Sequence, residues 1–160
     1  MGEAQSTIAL LFVATTSAVV GQSLKTKYNL DDSKIALQGY SAVSYIDLGI
    51  AQVGNKQFKA NHDGADYYFV DNDQKKKFGA NPEKYLPQYG GFCAFGVSVG
   101  AKFRVNPYKY VVKDGKLYLF LYNLEVDAQQ LWIQGSHNEL VSKSNTNWEK
   151  LKIGQLKNSF

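Results

Sequence analysis

Two Asp-Gly pairs, Asp63-Gly64 and Asp114-Gly115, each lie between runs of β-prone residues, and no other feature constrains the fold of this chain as tightly. Such a pair supplies the two left-handed residues that a tight hairpin turn requires. Gln57–His62 with Ala65–Val70, and Lys109–Val112 with Lys116–Leu121, are therefore expected to form antiparallel hairpins. In the first, Tyr67 and Phe69 mark one face, and Phe58, Tyr68 and Val70 the other. In the second, Tyr110, Val112, Leu117 and Leu119 are candidates for burial.

Helical signals fill the remaining chain. Asp71 or Asn72 is placed to cap a polar helix with Lys75–Lys77 outward and Phe78 inward, and Asn81-Pro82-Glu83 restarts a helical turn with proline at its first position. Lys34–Tyr45 reads as a strand leading into a tight helical turn. Glu125–Lys152 reads as two amphipathic helices broken at Gly135, with Leu131, Trp132, Leu140, Val141, Trp148 and Leu151 as inner faces. No internal repeat is expected. Hairpins and short helices without βαβ units predict an α+β domain: a small antiparallel sheet built from two hairpins, packed by short helices and a two-helix C-terminal tail. The divisions expected are a signal peptide over 1–21, a polar lead-in over 22–36, one domain over 37–153 and a tail over 154–160.

Composition serves mainly to exclude. With 44% hydrophobic residues in 160, the chain can bury a core and is no disordered polymer. Ile8–Val20 is uncharged and too short for a membrane span, and the pattern fits a secretory signal peptide cleaved before Gln22, although Glu3 precedes it and no Lys or Arg does. The alternative is a buried amino-terminal helix. The expected setting is extracellular. The net charge of +4 is scattered and Arg104 is the single arginine, so a nucleic-acid partner is not expected. Nor is there a GxSxG, HExxH, P-loop or GxGxxG signature to carry an enzymatic reading.

One cysteine, Cys93, rules out an intramolecular disulfide and a thiolate finger within one chain. It sits in Tyr89–Gly100, a segment with four glycines that could leave free amides at a helix start and lower the thiol pKa. Three roles stay open: a small buried hydrophobe, a metal ligand, or a reactive or interchain thiol.

A longer pattern runs through Gly64-Ala65-Asp66-Tyr67-Tyr68-Phe69, Phe78, Asn81-Pro82-Glu83-Lys84-Tyr85 and Pro87-Gln88-Tyr89-Gly90-Gly91-Phe92-Cys93-Ala94. It resembles the YHS domain, and in particular the extended, exported YHS-domain proteins whose motif continues into a DGKLYL-type hairpin, here Lys113–Leu119, and a tail bearing Trp132 and Trp148. The likeness covers Gln38 to Leu151. It implies a metal-handling role, since many YHS domains are suspected heavy-metal binders. The thiol positions of the cysteine-bearing branch fall on Ser44, Val70 and Gln74, so that site does not carry over.

A copper or zinc ion would then need other ligands. Cys93 is the first candidate, and His62 at the turn of the first hairpin is the second if that turn faces Tyr89–Ala94. A homodimer would double the donor count. His137 is expected to cap a helix or face solvent. The many tyrosines and phenylalanines, Tyr40, Tyr45, Tyr67, Tyr85 and Tyr89 among them, offer a second reading. They could line a pocket for a small apolar or pigment-like ligand, or fill the core and cover the sheet. A third reading is an interaction scaffold in which Cys93 is only structural.

Overall fold

The computed structural model describes Gly2, Ala4 and residues 24–156. The expected signal segment and the start of the lead-in lie outside the described residues. Within them the fold is α+β, and both hairpins form where the Asp-Gly pairs place them. Strand β1 (Asn55–His62) pairs with β2 (Ala65–Phe69), and β3 (Asn106–Lys113) with β4 (Lys116–Phe120). Asp63 and Gly64 take φ of 49° and 82°, Asp114 and Gly115 52° and 71°, the left-handed pair that lets a two-residue turn follow the twist of its strands. The hairpins do not join: each is its own two-stranded sheet.

A lone hairpin is marginal in water, so both depend on what packs against them. Helix α1 (Asn72–Ala80) is capped by Asp71, whose carboxylate accepts from the Gln74 amide, and it buries Phe78 against Tyr67 and Phe69. Helix α2 (Pro82–Tyr85) has proline in its first turn and buries Tyr85. These side chains form a first core with Val43, Tyr45, Leu117 and Leu119. A second core gathers Tyr89, Phe92, Cys93 and Val97 with Tyr118, Phe120, Trp132 and Leu151. It draws on helices α3 (Ala94–Ser98), α4 (Ala128–Gln134) and α5 (His137–Leu151).

Strand β4 is the wall between the two cores. Leu117 and Leu119 point into the first and Tyr118 and Phe120 into the second, all at most 2% exposed. The expected inner positions Trp132 and Leu151 are buried, and Leu140, Val141 and Trp148 pack partly buried against the second core. Leu131 is a correction, because it is 42% exposed. Lys34–Tyr45 also differs from its expected strand: it makes only isolated bridges, then a 3-10 turn over Leu37–Gly39 and a π turn over Ser44–Leu48.

Under the first hairpin lies a polar knot. Ser41 Oγ donates to Gln74 Oε1 at 2.6 Å, Gln74 Nε2 donates to Ser44 Oγ at 2.9 Å, and Ser44 Oγ donates to Gln52 Oε1 at 2.8 Å. The Val70 amide donates to Gln74 Oε1 at 3.2 Å. Ser41 and Ser44 are fully buried and Gln74 nearly so, and among the described residues no buried side-chain polar atom is left without a partner.

The architecture is also built twice, which corrects the expectation of no repeat. Asn55 and Asn106, Asp63 and Asp114, and Phe69 and Phe120 are each 51 positions apart. In both hairpins the register slips at the same place, after the opening asparagine, whose Oδ1 accepts from the amide two residues on at 2.9 Å. Ahead of each hairpin runs a left-handed tripeptide: Leu37, Gln38 and Gly39 at φ 55°, 52° and 83°, and Tyr89, Gly90 and Gly91 at 56°, 61° and 82°. Two residues later Ser41 and Cys93 occupy matching positions. The Ser41 amide donates to Gln52 O at 2.8 Å and the Cys93 amide to Phe103 O at 3.1 Å, and each side chain accepts from the amide three residues ahead.

Replacing Gln74 with alanine strips the buried Ser41 hydroxyl and the part-buried Val70 amide of their acceptor. Urea unfolding of Gln74→Ala is expected to show a loss of about 1–3 kcal/mol, the usual cost of orphaned buried polar groups. An unchanged midpoint would show that the knot contributes nothing.

Candidate functional site

A concavity of about 570 Å³ opens where the tip of the first hairpin meets the Tyr89-Gly90 loop and the face of α5. Three backbone facts build it. The Asp63-Gly64 turn projects His62 and Asp63 to the rim. The left-handed loop at Tyr89-Gly90 folds against the 24–30 segment, with the Asn29 amide donating to Gly90 O at 2.9 Å and Asn29 Nδ2 to Gly91 O at 3.1 Å. At Gly90 a Cβ would stand 2.0 Å from the Lys27 carbonyl and 3.2 Å from the Trp148 ring, so the close approach requires glycine.

Lys27 and Asp63 pair at the rim of the cleft. Lys27 Nζ meets Asp63 Oδ2 at 2.5 Å, and Tyr28 OH donates to the same oxygen at 2.6 Å. The Lys27 hydrogen bond holds the Asp63 carboxyl below its ordinary range, and Asp63 in turn raises Lys27. His62 Nε2 lies 3.5 Å from Glu83 Oε1, with its ring edge-on to Phe78. The remaining walls combine the rings of Tyr67, Tyr89 and Trp148 with Leu86, Pro87, Gln88 and Asn145. Tyr67 and Tyr89 come from the two cores, Tyr89 OH donates to Asn145 Oδ1 at 3.1 Å, and the Tyr89 and Trp148 rings meet at 67° with centroids 6.2 Å apart. Burial raises the Tyr67 phenol far above its normal value and pushes Tyr89 up to about 12.

The two residues named as metal ligands have different surroundings. His62 lines the cleft, and the hairpin tip does face Tyr89-Gly90, as the metal reading required. Cys93 does not line it. The thiol is 1% exposed in the second core, capping the short helix α3 by accepting from the Gly96 amide at 3.4 Å. Its pKa is raised, with burial as the largest cause outweighing the amide hydrogen bonds. That corrects the expectation of a lowered thiol pKa: the glycines do deliver amides to the sulfur, but desolvation of a thiolate costs more. Among the described residues no group of three or more His, Cys, Asp or Glu side chains is gathered to hold a metal ion.

His137 neither faces solvent fully nor caps by its side chain. Its Nδ1 accepts from Trp132 Nε1 at 3.1 Å, its ring sits edge-on to Tyr118, and burial lowers its pKa. The aromatics divide between filling two cores and walling the cleft. Sequence reasoning missed Lys27, Tyr28 and Asn145 as parts of the site, since the first two sit in a polar stretch and the third on a helix face, and only the fold brings them to the hairpin tip. It also missed Trp148 as a cleft wall, having placed it in the core. No protein-family profile, no curated protein and no solved structure matches this chain. Among the described residues no helix is long and apolar enough to cross a membrane.

In the native protein Cys93 is expected to resist a thiol reagent until the chain unfolds, and titration with copper or zinc is expected to give the same isotherm for the parent, Cys93→Ala and His62→Ala; a stoichiometric site lost in either variant would reverse this. The buried phenols of Tyr67 and Tyr89 contribute stability that is complete below about pH 10, the unfolded value, and drains away as pH rises toward their higher folded values. In an alkaline titration followed by circular dichroism, Tyr67→Phe is expected to move the unfolding midpoint to higher pH.

Proposed function

We propose that this chain is an exported, non-enzymatic YHS-type binding protein whose ligand is a small, partly apolar organic molecule held in the cleft at the tip of the first hairpin. The observation that carries the reading is the cleft itself. Its volume falls within the usual range for small-molecule sites, and it combines aromatic walls with a few fixed polar groups, the pattern that buries a ligand and orients it. The Lys27–Asp63 pair neutralises itself, which suits a ligand without a strong charge there.

The YHS resemblance draws support from the polar knot. Ser44, Val70 and Gln74, the positions at which the cysteine-bearing branch keeps thiols, are separated in sequence yet joined here by hydrogen bonds through Gln74. A hydrogen-bonded cluster of neutral groups stands where that branch has soft ligands, and this favours an organic ligand over copper or zinc. The copper or zinc reading through Cys93 and His62 rests on the resemblance, and the geometry adds nothing to it.

Trp148 lines the cleft whereas Trp132 is 2% exposed in the second core, so a Trp132→Phe variant leaves one tryptophan that reports on the site. Native mass spectrometry of protein from its own source is expected to reveal a non-covalently held organic molecule, and its binding is expected to weaken at least tenfold in Trp148→Ala. A ligand-free protein whose Trp148 emission responds to none of indole, 2-naphthol or anilinonaphthalene sulfonate would defeat the proposal.

A further inference from the structure

A second, smaller hollow of about 230 Å³ shares Tyr28 with the cleft but has the opposite character. Lys25, Lys102 and Arg104 converge on it, beside the ring of Phe92. Lys102 is half-buried: its Nζ donates to the Thr26 carbonyl at 3.0 Å and stands 5.1 Å from the Phe92 ring centroid. An ammonium group has three N–H donors, so this leaves two for another acceptor. Among the described residues no carboxylate lies within ion-pairing distance of Lys102 or Arg104, and Asp32 pairs with Lys25 at 3.0 Å. Three cations against one carboxylate leave two positive charges uncompensated. Desolvation without an acidic partner also pulls the Lys102 pKa down, an arrangement that a bound anion would relieve.

We propose that this hollow binds the phosphate group of a small phosphate monoester. Such a group carries about −1.5 to −2 charge at pH 7 and three acceptor oxygens, which matches the uncompensated charge, while a carboxylate matches only half of it. The Arg104 guanidinium supplies the planar fork that grips two phosphate oxygens, Lys102 supplies a point charge from the floor, and Phe92 offers an apolar edge to the organic part of the ester. The site is independent of the organic ligand proposed for the cleft.

The test is calorimetric titration of the full chain with inorganic phosphate and with phenyl phosphate, at ionic strength held constant with sodium chloride. Saturable binding is expected, tighter than that of acetate, and weakening as pH falls below about 6, where the dianion takes up a proton. Lys102→Met and Arg104→Gln are each expected to weaken it at least tenfold. Arg104 is exposed, so its variant keeps the test valid should Lys102→Met fail to fold. Lys75→Gln/Lys76→Gln is expected to bind phosphate as the parent does. No saturable binding, equal binding by acetate, or equal loss in the Lys75/Lys76 control would overturn the proposal.

Discussion

Strand β4 has no solvent face after its first residue, and that constraint organises the rest of the molecule. Alternation along a strand sends successive side chains to opposite sides, so a strand with a core on each side must be apolar at every position. Leu117, Tyr118, Leu119 and Phe120 meet that demand. The first core cannot close without the leucines, nor the second without the aromatic pair. Two hairpins that belong to separate sheets are thus held in one body by this five-residue strand, by the helices on its two sides, and by contacts to β3 such as the Tyr45 hydroxyl donating to Pro107 O and the Tyr110 hydroxyl to Gly49 O.

The hollows are consequences of the same plan. Chain segments that pack against two cores leave gaps at the edges where they cross, and the cleft lies at such a crossing, walled by Tyr67 from the first core and Tyr89 and Trp148 from the second. The 24–30 segment then divides what remains. Lys27 faces the cleft and is neutralised by Asp63, whereas Lys25 joins Lys102 and Arg104 around the smaller hollow. One short stretch of backbone thereby borders two sites of different chemistry, with Tyr28 at both.

Much of this was written locally in the sequence. The Asp-Gly turns, the Asp71 cap, Pro82 in the first turn of α2 and the break at Gly135 are each decided by a few neighbouring residues, and each is found where local chemistry puts it. What was not legible depends on distant parts of the chain. The tripeptides Leu37-Gln38-Gly39 and Tyr89-Gly90-Gly91 share a backbone but little side-chain character, so in the letters the repeat shows only inside the hairpins, as Asn55 with Asn106, Asp63 with Asp114 and Phe69 with Phe120. Leu131 fits a helical apolar stripe by spacing, yet α4 is too short for its whole stripe to find cover. Cys93 invites a chemical role by its solitude, and only its match with Ser41 shows both as caps on equivalent turns. The cleft was half legible: His62 and the loop facing it could be named, but Lys27 and Asn145 reach it only through the fold.

The left-handed tripeptide that precedes each hairpin sets a turn without dictating what the turn encloses. A frame present in two copies shows which parts recur and which differ. The backbone pattern occurs in both halves, with a hydroxyl cap beside a polar knot in one and a sulfur cap in an apolar core in the other. The frame therefore accepts contents of either polarity.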